Sequence, residues 1–127
     1  MTLKELYSQI EGDYNQAISV LIIEKLMDIH IRKFPDNGVV ESLLEAGATL
    51  DPTKMFESAH AMKGVCANLG LVKLASYASV LSEEFRPGKN RTMTDDKVHD
   101  LINEVKALYE KTVAGINQYV SQSENVQ

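Results

Sequence analysis

Apolar residues along the chain recur at steps of three and four, and nowhere in the strict alternation of a strand, so the pattern predicts helices throughout. From Thr2 to Glu11, Leu3, Leu6, Tyr7 and Ile10 mark a first short helix, which Gly12-Asp13 interrupts. Asp13 is placed to cap the next helix. From Asn15 to Phe34 the apolar set Ile18, Leu21, Ile22, Leu26 and Ile29, joined by Met27, Ile31 and Phe34, is wider than one stripe. That width predicts one helix contacted on more than one side. Phe34-Pro35 ends it, because the residue before a proline is pushed out of the helical region. After Asp36-Asn37-Gly38 a shorter helix carries Val40, Leu43, Leu44 and Ala48, closed by Gly47 and the Ala48-Thr49-Leu50 exit.

Asp51-Pro52 is a strong start signal, the aspartate as N-cap and the proline at the first helical position. The helix it opens runs to Leu69, with Met55, Ala59, Met62, Cys66 and Leu69 alternating steps of four and three, the spacing of a bundle seam. Gly70 is suited to the left-handed conformation that ends such a helix. Leu71, Leu74, Ala78, Leu81 and Phe85 resume the seam at once, so the two helices are predicted antiparallel neighbours. Pro87-Gly88 stops the second, and Arg86 to Met93 is a polar connection. Thr92 with Asp95, or Thr94 alone, caps the last helix. Val98, Leu101, Ile102, Val105, Leu108, Tyr109, Val113, Ile116 and Val120 hold one stripe along it, and the polar stretch Ser121 to Gln127 is expected to fray. The prediction is an all-α chain: an antiparallel up-down four-helix bundle with additional N-terminal helices, one domain over 1–127 with its bundle core at about 36–120.

Composition narrows the function classes. At 127 residues the chain can bury one core without disulfides or metal. Its 13 Lys plus Arg against 18 Asp plus Glu give a net charge of −5, with no basic run, so nucleic acid is not an expected partner. A membrane surface is disfavoured for the same reason. Ala17 to Met27, the longest mainly apolar stretch, contains Glu24 and Lys25 and is too short to span a bilayer. No signal peptide pattern opens the chain, and the single Cys66 fits a reducing compartment. The expectation is a cytoplasmic, monomeric protein, and the Met1 start and polar tail suit a complete small one.

The candidate chemistry lies in Ala59-His60-Ala61-Met62-Lys63-Gly64-Val65-Cys66-Ala67-Asn68-Leu69-Gly70. His60 stands about 100° round the helix from Ala59, beside the buried seam. An imidazole near neutral pH keeps a lone pair on one ring nitrogen and is a usable nucleophile. Lys63, one turn on, is placed to stabilise negative charge arriving at that ring. Gly64 lies above His60 on the same face, where a side chain would hinder approach, at a cost of roughly 0.5–1 kcal/mol in a helix interior. The Asn68 amide adds polar lining a turn beyond. A histidine alone beside a seam would read as structural, Lys63 as a solvated charge and Gly64 as a packing point; their common face favours chemistry instead. Cys66 is a small core residue by its spacing, and Glu83-Glu84 and Asp95-Asp96 read as solvated acids near helix ends. His30 and His99 lack the helical-spaced partners that would make a metal site, so none is expected.

This stretch resembles the motif of histidine-containing phosphotransfer (HPt) domains. The resemblance extends to the Gly12-Asp13-Tyr14 opening, the Phe34-Pro35 break, the Leu71 to Phe85 partner helix with Leu81 and Glu84, and the long last helix. It implies a four-helix bundle whose histidine accepts a phosphoryl group from a receiver-domain phospho-aspartate and passes it to another receiver. His60 would be the phosphoacceptor, Lys63 the phosphoryl-oxygen stabiliser and Gly64 the access position. Cys66 departs from the family's usual serine or alanine. The resemblance further implies no kinase activity of its own and no cofactor, the Mg²⁺ belonging to the receiver. Receiver domains and a hybrid sensor histidine kinase are the implied partners. The alternative is a helical adaptor that binds receiver or kinase domains without taking phosphate.

Overall fold

The structure is a computed structural model that describes residues 1–124, and among these every regular element is helical. In chain order they are α1 (Leu3–Gln9), α2 (Tyr14–Leu21), α3 (Glu24–Lys33), a 3₁₀ turn (Phe34–Asp36), α4 (Val39–Thr49), α5 (Pro52–Asn68), α6 (Val72–Glu84) and α7 (Asp95–Glu124). Helices α4 to α7 form the up-down bundle. On one side, Gly47 of α4 meets Ile102 and His99 of α7, and Tyr109 donates to Glu41 a turn and a half earlier on α4, so the two run antiparallel. Gly47 therefore does not close α4. It sits within the helix, where an added Cβ would lie 2.8 Å from the Ile102 side chain, and its bareness lets α7 approach. Ala46, and not Ala48, faces the core.

The centre of the bundle is the α5–α6 pair. Met55, Ala59, Met62, Cys66 and Leu69 are buried against Leu71, Leu74, Ala78, Leu81 and Phe85. Each large side chain there contributes on the order of 1.5–3 kcal/mol through its burial. Asp51 caps α5 by accepting from the Lys54 N–H at 3.1 Å. At the far end the Leu71 N–H reaches the Cys66 carbonyl and the Gly70 N–H the Ala67 carbonyl, with Gly70 at φ +71°. This two-bond ending reverses the chain in three residues and forces α6 to lie back along α5.

The N-terminal helices pack onto this end of the bundle and onto the second half of α7. Thr2 and Glu5 form a reciprocal capping box on α1. The buried Tyr7 hydroxyl donates to the Leu69 carbonyl at 2.7 Å, and the Asp13 N–H to the Gly70 carbonyl at 2.7 Å. The single helix expected over Asn15 to Phe34 is instead two, α2 and α3. The break is a tight turn in which the Ile23 N–H bonds the Leu21 carbonyl around Ile22, whose φ is +75°. The broad apolar set is the sum of two narrow faces at an angle: Ala17 on α2, and Met27 with Ile31 on α3. Ile22 and Leu26 are not core; Ile22 is 76% exposed. Within the polar stretch expected to fray from Ser121, α7 continues to Glu124, with Ser123 accepting from the Arg32 guanidinium at 2.6 Å. Residues 125–127 of that polar stretch lie outside the described residues.

A further correction concerns Glu84. Expected in solvent, it is 2% exposed. Its carboxylate accepts from the Thr92 N–H and hydroxyl and the Met93 N–H at 2.7–2.9 Å, and pairs with Lys89 and Arg91. Burial alone would push its pKa up; the Met93 and Thr92 donors and the Lys89 ammonium outweigh it and hold the group at about 2. Glu84 thereby folds the α6–α7 connection down, and Thr92 is engaged there while Thr94 caps α7. Glu83 does face solvent, paired with Arg86.

Candidate functional site

The buried seam of α5 fixes which of its residues face outward. With Ala59 and Met62 at zero exposure, His60, Ala61, Lys63, Gly64 and Asn68 are all exposed on the opposite flank. Helical side chains lean toward the N-terminus of their helix. The His60 ring therefore lies over the turn containing Phe56, and the Lys63 stem points back toward His60. A side chain at position 64 would also lean over His60, and glycine leaves that space empty: an added Cβ there would meet nothing within 4 Å.

His60 has one close neighbour. The Phe56 ring stacks on it with centroids 5.5 Å apart and planes at 20°. Phe56 is half-buried and packs against the core, so it stands between the seam and the imidazole. The sequence pattern did not single out Phe56, although an aromatic residue four positions before a histidine on one helix was a legible signal. Among the described residues the His60 ring nitrogens and the Lys63 ammonium have no hydrogen-bond or ion-pair partner. The residues brought together are thus Phe56, His60, Lys63 and Gly64. Asn68 shares the flank, but eight residues on it stands about 12 Å along the axis from His60.

On the α4 side the flank is bordered by a groove of ≈ 500 Å³ whose walls include Ser42, Glu45, Thr49, Glu57 and Ala61. Within the seam, burial pushes the Cys66 thiol up to about 12, which keeps it protonated and unreactive at neutral pH. Among the described residues no three His, Cys, Asp or Glu side chains are grouped to hold a metal ion, and no helix is long and apolar enough to cross a membrane.

Chemically, the flank offers an exposed imidazole, a cation a turn away and clearance at Gly64 above the ring. It contains no paired acid and base.

Comparison with known proteins bears on the bundle that holds this flank. A family model described as Hpt domain matches residues 36–114, from the 3₁₀ turn through the first two thirds of α7. No curated protein and no solved structure matches the chain.

Proposed function

The chain belongs to the Hpt domain family, whose members are phosphorelay carriers in two-component signalling, and from that premise we propose that His60 is the residue that carries the phosphoryl group. The observation that carries this reading is the exposed imidazole with open space over Gly64 and Lys63 one turn on. A neutral ring nitrogen of His60 attacks the phosphorus of a receiver's phospho-aspartate in line with the aspartyl oxygen. The nitrogen–phosphorus bond forms as the phosphorus–oxygen bond breaks, and the aspartate leaves as carboxylate. The ring's other nitrogen keeps its proton, so no base is needed. Lys63 spreads the charge of the incoming phosphoryl oxygens, and the empty surface over Gly64 admits the partner's active-site edge. The reverse reaction delivers the group to a second receiver.

This chain supplies positioning and electrostatics, and the Mg²⁺ that assists transfer is the receiver's. The proposed partners are accordingly receiver domains, with a hybrid sensor histidine kinase as the source of the phosphoryl group. The test is incubation with purified receiver domains phosphorylated by acetyl phosphate. An acid-labile label is expected on the wild-type chain and none on His60→Gln. Label that persists in His60→Gln would reject the assignment.

A further inference from the structure

We propose that Phe56 is a positioning residue for the phosphoacceptor, an inference that rests on the carrier reading of His60. Three observations meet at this pair. Phe56 is held from below by the core, its outer face is stacked on the imidazole at 5.5 Å and 20°, and the surface beyond His60 toward Gly64 is empty. The lone pair of an imidazole nitrogen lies in the plane of the ring. A phenyl ring over one face therefore restrains the imidazole without covering the edge that reacts.

The restraint matters because nothing else supplies it. Among the described residues neither ring nitrogen of His60 has a hydrogen-bond partner to fix the ring, as a metal ligand or a triad histidine has. The exposed side chain would otherwise sample its rotamers freely and would have to be ordered at each encounter. Stacking on a core-anchored ring performs that ordering before the partner arrives. It acts on the approach to the transition state, so it raises the rate of transfer within the complex rather than the affinity of the complex.

The experiment compares wild type, Phe56→Leu and Phe56→Tyr. Transfer from acetyl-phosphate-charged receiver domains is followed over a range of receiver concentration, alongside the proton NMR positions of the His60 ring. Phe56→Leu keeps the apolar contact with the core but removes the stacked face. Its maximal transfer rate is expected to fall roughly three- to tenfold with the half-saturating receiver concentration little changed. Its His60 ring protons are expected to lose the ring-current shift. Phe56→Tyr should restore both, and Phe56→Met serves in place of leucine should that variant not fold. An unchanged maximal rate in a folded variant without the stacked ring overturns the positioning role. So does a loss confined to the half-saturating concentration, which would make Phe56 a docking contact. Failure of the wild-type chain to take label from every receiver overturns the carrier reading itself, and this proposal with it.

Discussion

In the proposed transfer, the missing side chain of Gly64 is what leaves access to His60. Helical side chains lean toward the N-terminus, so any residue at 64 would overhang His60, yet nothing in the fold occupies that space. Gly64→Leu should therefore fold without a clash and stabilise α5 by up to about 1 kcal/mol through helix propensity. Transfer from a phosphorylated receiver should nevertheless slow by at least about tenfold, the opposite direction from stability. Thermal unfolding and transfer kinetics on the same sample check the pair of expectations; unchanged kinetics would assign the glycine to another purpose. The spacing of His60, Lys63 and Gly64 was legible because one helix fixes their relation. Phe56 was readable by the same rule and was obscured by its likeness to ordinary core. Glu84 was not readable: its burial depends on Thr92, Met93, Lys89 and Arg91, which a separate loop brings to it.

At the scale of elements, the ends of helices decide more than their middles. The α5–α6 reversal works because Gly70 adopts φ +71° and because its bare Cα lets α2 dock. An added Cβ would lie 2.5 Å from the Asp13 carbonyl and 2.7 Å from the Ala17 side chain. Gly70→Ala is expected to cost about 1–3 kcal/mol by chemical denaturation. Hydrogen exchange should show the protection of α1 and α2 falling before that of α5 and α6. Equal loss across all four helices would mean that the glycine serves the reversal alone. The turn at Ile22 is the counterpart that sequence pattern concealed. A β-branched residue at φ +75° carries no local signal for a turn, and the apolar run continues through it.

For the molecule as a whole, the same buried groups set the response to pH. The Glu84 carboxyl is held at about 2 against an ordinary value near 4.5, so the folded state keeps it ionised where the unfolded chain would protonate it. Its stabilising contribution is complete above about pH 4.5 and is lost as pH falls toward about 2. Glu84→Gln should lower stability near neutrality by about 1–3 kcal/mol and flatten the acid limb of a stability-against-pH curve. An acid limb as steep as wild type would show that another carboxylate dominates. On the alkaline side the sign reverses: burial, with the Asp28 carboxylate beside it, raises Tyr119 to about 12, so the stability it contributes is complete below about pH 10 and lost as pH rises through 12. The family match begins at residue 36, so α1 to α3 lie outside the matched region. They cover the α5–α6 reversal and the second half of α7, at the end of α5 beyond His60.

The sequence by itself determined what one helix can express: the capped start of α5, its seam, the exposed flank that the seam leaves opposite it, and the antiparallel pairing imposed by a reversal of three residues. Those are consequences of a 3.6-residue period and of the conformations open to aspartate, proline and glycine. Tertiary structure alone decided what depends on how separate elements and their connections pack together. It divided the broad apolar run into α2 and α3, since two packing directions need two helix axes. It carried α7 on to Glu124, where Arg32 of α3 donates to Ser123. It buried Glu84 because a loop folds its donors around the carboxylate.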